Sequence, residues 1–133
     1  MQFTRAGAAA TYPNGRARIL LSKEIRGIAS TMIKALTNAM LARYHLRQEE
    51  IRFWVLHSAG RGVLERAQRA MGLRDDDLAF SRKVLRQFGN MSSATALFVL
   101  NEVVSSGQAS PGDLGLMIAL GPGFCAEGAL LRW

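Results

Sequence analysis

Cysteine is almost missing from the 133 residues: only Cys125 is present. One thiol cannot close an intramolecular disulfide, and no multi-cysteine metal site can be drawn from it. Long apolar runs are missing too, and no window approaches the roughly 18 residues of a membrane span. The opening "MQFTRAGAAATYPNG" has no apolar core followed by a cleavage site, so the expected setting is cytoplasmic, with no membrane partner. There is no internal repeat and no low-complexity tract. Acidic residues are in deficit, 10 against 17 Lys plus Arg, which gives a net charge of +7. A basic balance suits polyanions or phosphorylated ligands. Yet the arginines run from Arg5 to Arg132 without forming a block, which fits a solvated surface better than a nucleic-acid site.

What is present is an ordinary globular composition, 49% hydrophobic and 20% charged. At this length about two thirds of the unfolded surface can be buried, so one domain over 1–133 is expected, with 1–15 a poorly defined lead-in. Pro13-Asn14-Gly15 reads as a turn. "ARILL" (17–21) is a short strand candidate, and Ser22 a candidate N-cap. The following helix carries Ile25, Ile28, Ala29, Met32, Leu36, Ala39 and Met40 at three- and four-residue spacing and ends near Tyr44.

Ile51 to Leu56, aromatic and branched, reads as a buried strand. Ser58, Ala59, Gly60 and Gly62 follow as a tight turn, with Arg61 a solvent-facing helix start. Val63 to Met71 reads as a helix ended by Gly72, since glycine tolerates the left-handed conformation of a helix C-terminus. "LRDDDLAFSRKVLRQFG" suggests a capped short helix with acid at its start and base at its end. Ser92 is then expected to cap "SATALFVLNEVVSSG", a helix apolar nearly all round and so expected to be central and buried. "LMIALGPGFCAEGALLRW" reads as two strands around a Gly-Pro-Gly turn, with Cys125 a small buried residue. Strands alternating with helices and closing on a hairpin give an α/β layered fold.

Three places could carry chemistry. His57 would stand at the carboxyl end of a buried strand, where open α/β sheets bind ligands, although a lone histidine at a strand end is more often structural. His45 has no such setting. Asn90 precedes the apolar helix, where unpaired backbone amides can face an anion or a carbonyl oxygen. It can equally well do no more than shape the turn. The third place, Gly121-Pro122-Gly123, lets backbone approach a ligand closely, but also simply turns a corner.

Together, "WVLHSAGRGVL", "FGNMSSATALFVL" and "LGPGFCAEGALLRW" resemble the C-terminal domain of type III polyketide synthases, the chalcone and stilbene synthase-like enzymes of the thiolase fold. The likeness is strong over 51–133 and collinear over 16–50. Ketoacyl synthases of the third class also use a histidine and an asparagine, but the Met-Ser-Ser run and the Gly-Pro-Gly turn favour the polyketide synthases. The resemblance implies a thiolase-like α/β fold with helices packed on a mixed sheet, the C-terminal half of a two-domain synthase. It implies that His57 and Asn90 hydrogen-bond the thioester carbonyl of malonyl-CoA, help it decarboxylate and stabilise the enolate. It implies that Ala59 and Gly60 line the pantetheine tunnel, and that Ser92 with Gly121, Pro122 and Gly123 walls the acyl cavity. Acyl-CoA and malonyl-CoA would be substrates, with no separate cofactor and no metal.

The nucleophilic cysteine of that family lies in an N-terminal domain that this chain does not contain, and Cys125 matches no nucleophile motif. The chain is therefore expected to pair with a cysteine-bearing N-terminal domain, in the same or a separate chain, or to self-associate as a homo-oligomer, and to be inactive alone. "HSAGRG" also departs from the family's more usual Pro-Gly-Gly after the histidine. A non-catalytic thiolase-like module that binds CoA or another polyanion is the alternative.

Overall fold

A computed structural model describes residues 8–11, 18–21, 25–121 and 125–133, with side chains from residue 27 onward. The Pro13-Asn14-Gly15 turn and the Ser22 cap lie outside those residues. The short strands β1 (Ala8–Thr11) and β2 (Arg18–Leu21) pair antiparallel as a two-stranded sheet of their own. Helix α1 (Ile25–Arg43) leads through a 3-10 turn, Gln48–Glu50, into β3 (Ile51–Leu56). Then come α2 (Arg61–Met71), a second 3-10 turn at Asp76–Leu78, α3 (Ala79–Phe88) and α4 (Ala94–Ser105). Strands β4 (Leu114–Gly121) and β5 (Cys125–Arg132) close the chain.

The main sheet is mixed, ordered β3-β4-β5, with β3 parallel to β4 and β4 antiparallel to β5. Parallel strands covered on both faces read as nearly continuous apolar runs, as "IRFWVL" does. On one face Trp54, Leu56, Leu116 and Ile118 pack with Ala29, Ile33 and Leu41 of α1 and Val63, Leu64 and Ala67 of α2. On the other, Phe53 and Val55 pack with Val84 of α3 and Val99 and Val103 of α4. The register slips between Ile51 and Phe53, so Ile51 joins the face of Trp54 rather than that of Phe53. Gly115 makes room for the C-terminal ring: a Cβ there would lie 2.6 Å from Trp133, whose ring meets Phe53 at a tilt, centroids 5.1 Å apart.

Three expectations need correction. Helix α4 is not buried all round: Val99 and Val103 face the core, while Leu97 is 60%, Val104 57% and Phe98 42% exposed. Its second apolar side is outward. Ser92 does not cap α4, and the cap position, Ser93, also makes no side-chain bond. Cys125 is exposed, because it opens β5, the outer strand of the sheet. Asp76 and Asp77 sit in the 3-10 turn rather than in α3 itself, with Asp75 just before it, and Asp77 accepts from the Arg74 amide at 2.7 Å.

Candidate active site

Because β3 and β4 run parallel, their carboxyl ends open on one edge of the sheet, and His57 is the first residue beyond β3. Its amide continues the ladder by donating to Ile118 O at 2.9 Å. The imidazole is 4% exposed, and Nδ1 has no hydrogen-bond partner among the described residues. Burial lowers the pKa of the ring, while a side-chain hydrogen bond with Asn90 opposes that shift. The ring is therefore neutral at pH 7.

Asn90 reaches this place from the far end of α3. Gly89, at φ 73°, turns the chain there, in the left-handed region that favours glycine. The carboxamide then ties two segments together. Its Nδ2 donates to Ala59 O, 31 positions earlier, at 3.3 Å, and its Oδ1 accepts from the Ser92 amide at 2.9 Å. The second bond is an Asx turn, and it helps to hold Ser92 at φ 59°, a conformation that costs a non-glycine residue about 1–2 kcal/mol. Thr95, fully buried, completes the turn: its Oγ1 accepts from the Met91 amide at 2.9 Å, and its own amide donates to Ser92 O at 3.0 Å. Thr95 thus ties the turn before α4 to the first turn of the helix, and α4 has no side-chain cap.

His57, Ala59 and Asn90 are in this way brought into one neighbourhood. Gly60 stands next to Ala59 as the N-cap of α2, and Ser92 is exposed beside Asn90. Gly121 ends β4 at the same edge of the sheet, with Cys125 Sγ 2.8 Å from where its Cβ would be. Pro122 and Gly123 lie outside the described residues. Arg61 is exposed and faces Glu65 at 3.6 Å. His45 is exposed, far from this chemistry in sequence and in setting. Among the described residues no group of three or more His, Cys, Asp or Glu could hold a metal, and no helix is long and apolar enough to cross a membrane.

Sequence reasoning missed two further residues. Ser58 and Ser81 are both fully buried; Ser58 Oγ donates to Ser81 O at 2.9 Å, and Ser81 Oγ accepts from the Leu56 amide at 3.3 Å. The available signal was position: Ser81 lies three residues from both Leu78 and Val84 on the buried stripe of α3.

Comparison with known proteins points one way. The family model "Chalcone and stilbene synthases, C-terminal domain" matches residues 16–133. A 1,3,6,8-tetrahydroxynaphthalene synthase from Streptomyces peucetius subsp. caesius is 36% identical over 87% of this chain and 31% of its own length. A 3,5-dihydroxyphenylacetyl-CoA synthase from Amycolatopsis balhimycina is 30% identical over 89% of this chain and 32% of its own. Among solved structures, PKS-I of the brown alga Ectocarpus siliculosus superposes with a TM-score of 0.83 at 31% identity, over 96% of this chain and 35% of that one. The 1,3,6,8-tetrahydroxynaphthalene synthase of Streptomyces coelicolor A3(2), a bacterial type III polyketide synthase, gives 0.83 at 23% identity and shares the fold. The chain spans about a third of the length of the relatives it matches.

Proposed function

The chain belongs to the chalcone and stilbene synthase family, of which it is the C-terminal domain, and from that premise we propose that it is the donor half of an acyl-CoA condensing site. His57 and Asn90 grip the thioester carbonyl oxygen of malonyl-CoA. The C–C bond to the carboxylate breaks, CO2 leaves, and the electron pair moves onto that oxygen as an enolate. The enolate carbon then attacks an acyl thioester held on a cysteine of the N-terminal domain. The new C–C bond forms and the cysteine leaves as thiolate. Two fixed donors aimed at an oxygen that becomes anionic stabilise this course, and one such donor can be worth about 3 kcal/mol. Ala59 and Gly60 would line the entry of the pantetheine arm. Ser92 and the Gly121-Pro122-Gly123 turn would wall the acyl cavity. CoA thioesters are the substrates, and no separate cofactor takes part.

The single observation that carries this proposal is the neighbourhood itself: a buried imidazole, its pKa lowered by burial, beside a carboxamide that is anchored at both ends. Support for a partner half comes from the outward face of α4, where Leu97, Phe98 and Val104 lie exposed beside Phe88. Mixing the chain with the cysteine-bearing N-terminal portion, an acyl-CoA starter and malonyl-CoA should release CO2 and give product, whereas the chain alone should give none. His57→Ala or Asn90→Ala should then depress turnover about a hundredfold or more. Undiminished activity of the double variant would end the mechanistic claim.

A further inference from the structure

An imidazole that works on a reacting atom has to be aimed. The usual device is a hydrogen bond from the ring nitrogen turned away from the substrate to a carbonyl or carboxylate, which fixes both orientation and tautomer. His57 lacks it: Nδ1 is buried and has no partner among the described residues. The aim must come from the main chain on either side of the ring, and here the structure is unusually explicit. The Leu56 amide donates to Ser81 Oγ at 3.3 Å, the His57 amide donates to Ile118 O at 2.9 Å, and Ser58 Oγ donates to Ser81 O at 2.9 Å. One residue of α3 therefore holds the positions before and after the histidine, with its hydroxyl on one side and its carbonyl on the other. Both serines are fully buried. A buried hydroxyl is costly unless bonded, and an alanine would fill either place with no such requirement.

We propose that Ser58 and Ser81 are positioning residues that clamp the main chain around His57 and so hold its imidazole in place against Asn90. The proposal rests on the reading of His57 as a working group, but the clamp can be read from the imidazole itself. No charged side chain contributes to the lowered pKa of His57, which reflects burial opposed by Asn90. A ring that loosens toward water will therefore titrate higher.

The test uses the full chain, with the His57 Cε1–H signal assigned by its loss in His57→Ala. That signal is followed by NMR through a pH titration. In the parent protein, His57 should titrate below the usual 6.5. In Ser81→Ala and in Ser58→Ala the His57 midpoint should climb toward that usual value, with a broadened ring signal. Ser81→Thr, which keeps the hydroxyl, should restore the parent value. If Ser81→Ala does not fold, Ser58→Ala carries the test, because it leaves the Leu56–Ser81 bond in place. Alanine variants that lose thermal stability while His57 keeps its midpoint and line width would overturn the clamp. Were His57→Ala fully active in the reconstituted enzyme while the serine variants still moved the His57 signal, the clamp would stand and the catalytic reading would fall.

Discussion

Replacing Thr95 by valine keeps the shape of a fully buried side chain and deletes one oxygen. That oxygen accepts the Met91 amide at 2.9 Å, and with it the turn that presents Asn90 is tied to the first turn of α4. An ordinary hydrogen bond contributes about 0.5–1.5 kcal/mol net, and an orphaned buried donor costs about 1–3 kcal/mol. Met91 is only half-buried, so water can partly replace the lost acceptor, and the lower end applies. The added methyl offsets up to about 0.8 kcal/mol. The strain of left-handed Ser92 is already present in the parent and adds no further cost. The expected sum is a destabilisation of at most about 1 kcal/mol, or no more than roughly 3–5 °C in melting temperature. Urea unfolding at fixed protein concentration should give a lower midpoint with an unchanged slope, and hydrogen exchange at the Met91 amide should quicken. Thr95→Ser separates the two effects: it loses the methyl, keeps the acceptor, and should leave Met91 exchange at the parent rate. A valine variant as stable as the parent, with Met91 equally protected, would refute the assignment of that oxygen.

Other expectations follow from the same contacts. Burial sets the His57 pKa below its usual 6.5, so the unfolded chain takes up a proton first. The stability contributed by the neutral ring is complete above that value and is lost as pH falls through it toward the folded pKa. The stability difference between the parent and His57→Gln should therefore move against the parent on acidification below about pH 6.5, and a difference flat from pH 8 to 5 would contradict the burial argument. Gly115→Ala forces a Cβ against the Trp133 ring and the Phe53 carbonyl, and should cost about 1–3 kcal/mol by denaturant unfolding. In a Trp133→Ala background most of that cost should vanish, and a purely additive cycle would show that the ring is not the obstacle. Leu97→Glu places a charge on the outward face of α4 and should weaken binding of the cysteine-bearing N-terminal portion, read by sedimentation of the mixture. Unchanged binding would refute that placement of the contact.

The elements were legible where periodicity and burial agree. "IRFWVL" becomes β3 over the same residues, and Gly72 ends α2 at φ 66°, ψ 29° as the left-handed stop expected of it. What escaped was buried hydroxyl chemistry. Thr37 sits between Ile33 and Leu41, Ser81 between Leu78 and Val84, and Thr95 four residues before Val99, each on the apolar stripe of its helix. A pattern that counts only apolar residues leaves gaps at these places, although a polar side chain on that stripe must find a partner. Those partners are distant in sequence: Met71 for Thr37, and Leu56, 25 positions away, for Ser81. Serines beside a helix start look like caps, so Ser92 drew a cap assignment, although α4 has no side-chain cap and the hydroxyl that ties the turn to it is that of Thr95. The outward side of α4 was hidden for the opposite reason. An all-apolar helix reads as interior to something, and sequence does not say whether that something is in the same chain.

The two sides of the site differ in a way that bears on the proposed chemistry. His57 is enclosed, while Asn90 is exposed, so an oxygen gripped by both must arrive from the Asn90 side. A neutral imidazole and an amide are dipolar donors without net charge, and donors of that kind stabilise an oxyanion well only where water is kept away and the local dielectric is low. In this half alone the carboxamide stands in water, which would screen the enolate and compete for its lone pairs. Covering that side changes the balance twice over: it dries the oxygen, and it brings up the acyl thioester that the enolate must attack. A second half seated on the outward face of α4, the helix that begins just after Asn90, would do both at once.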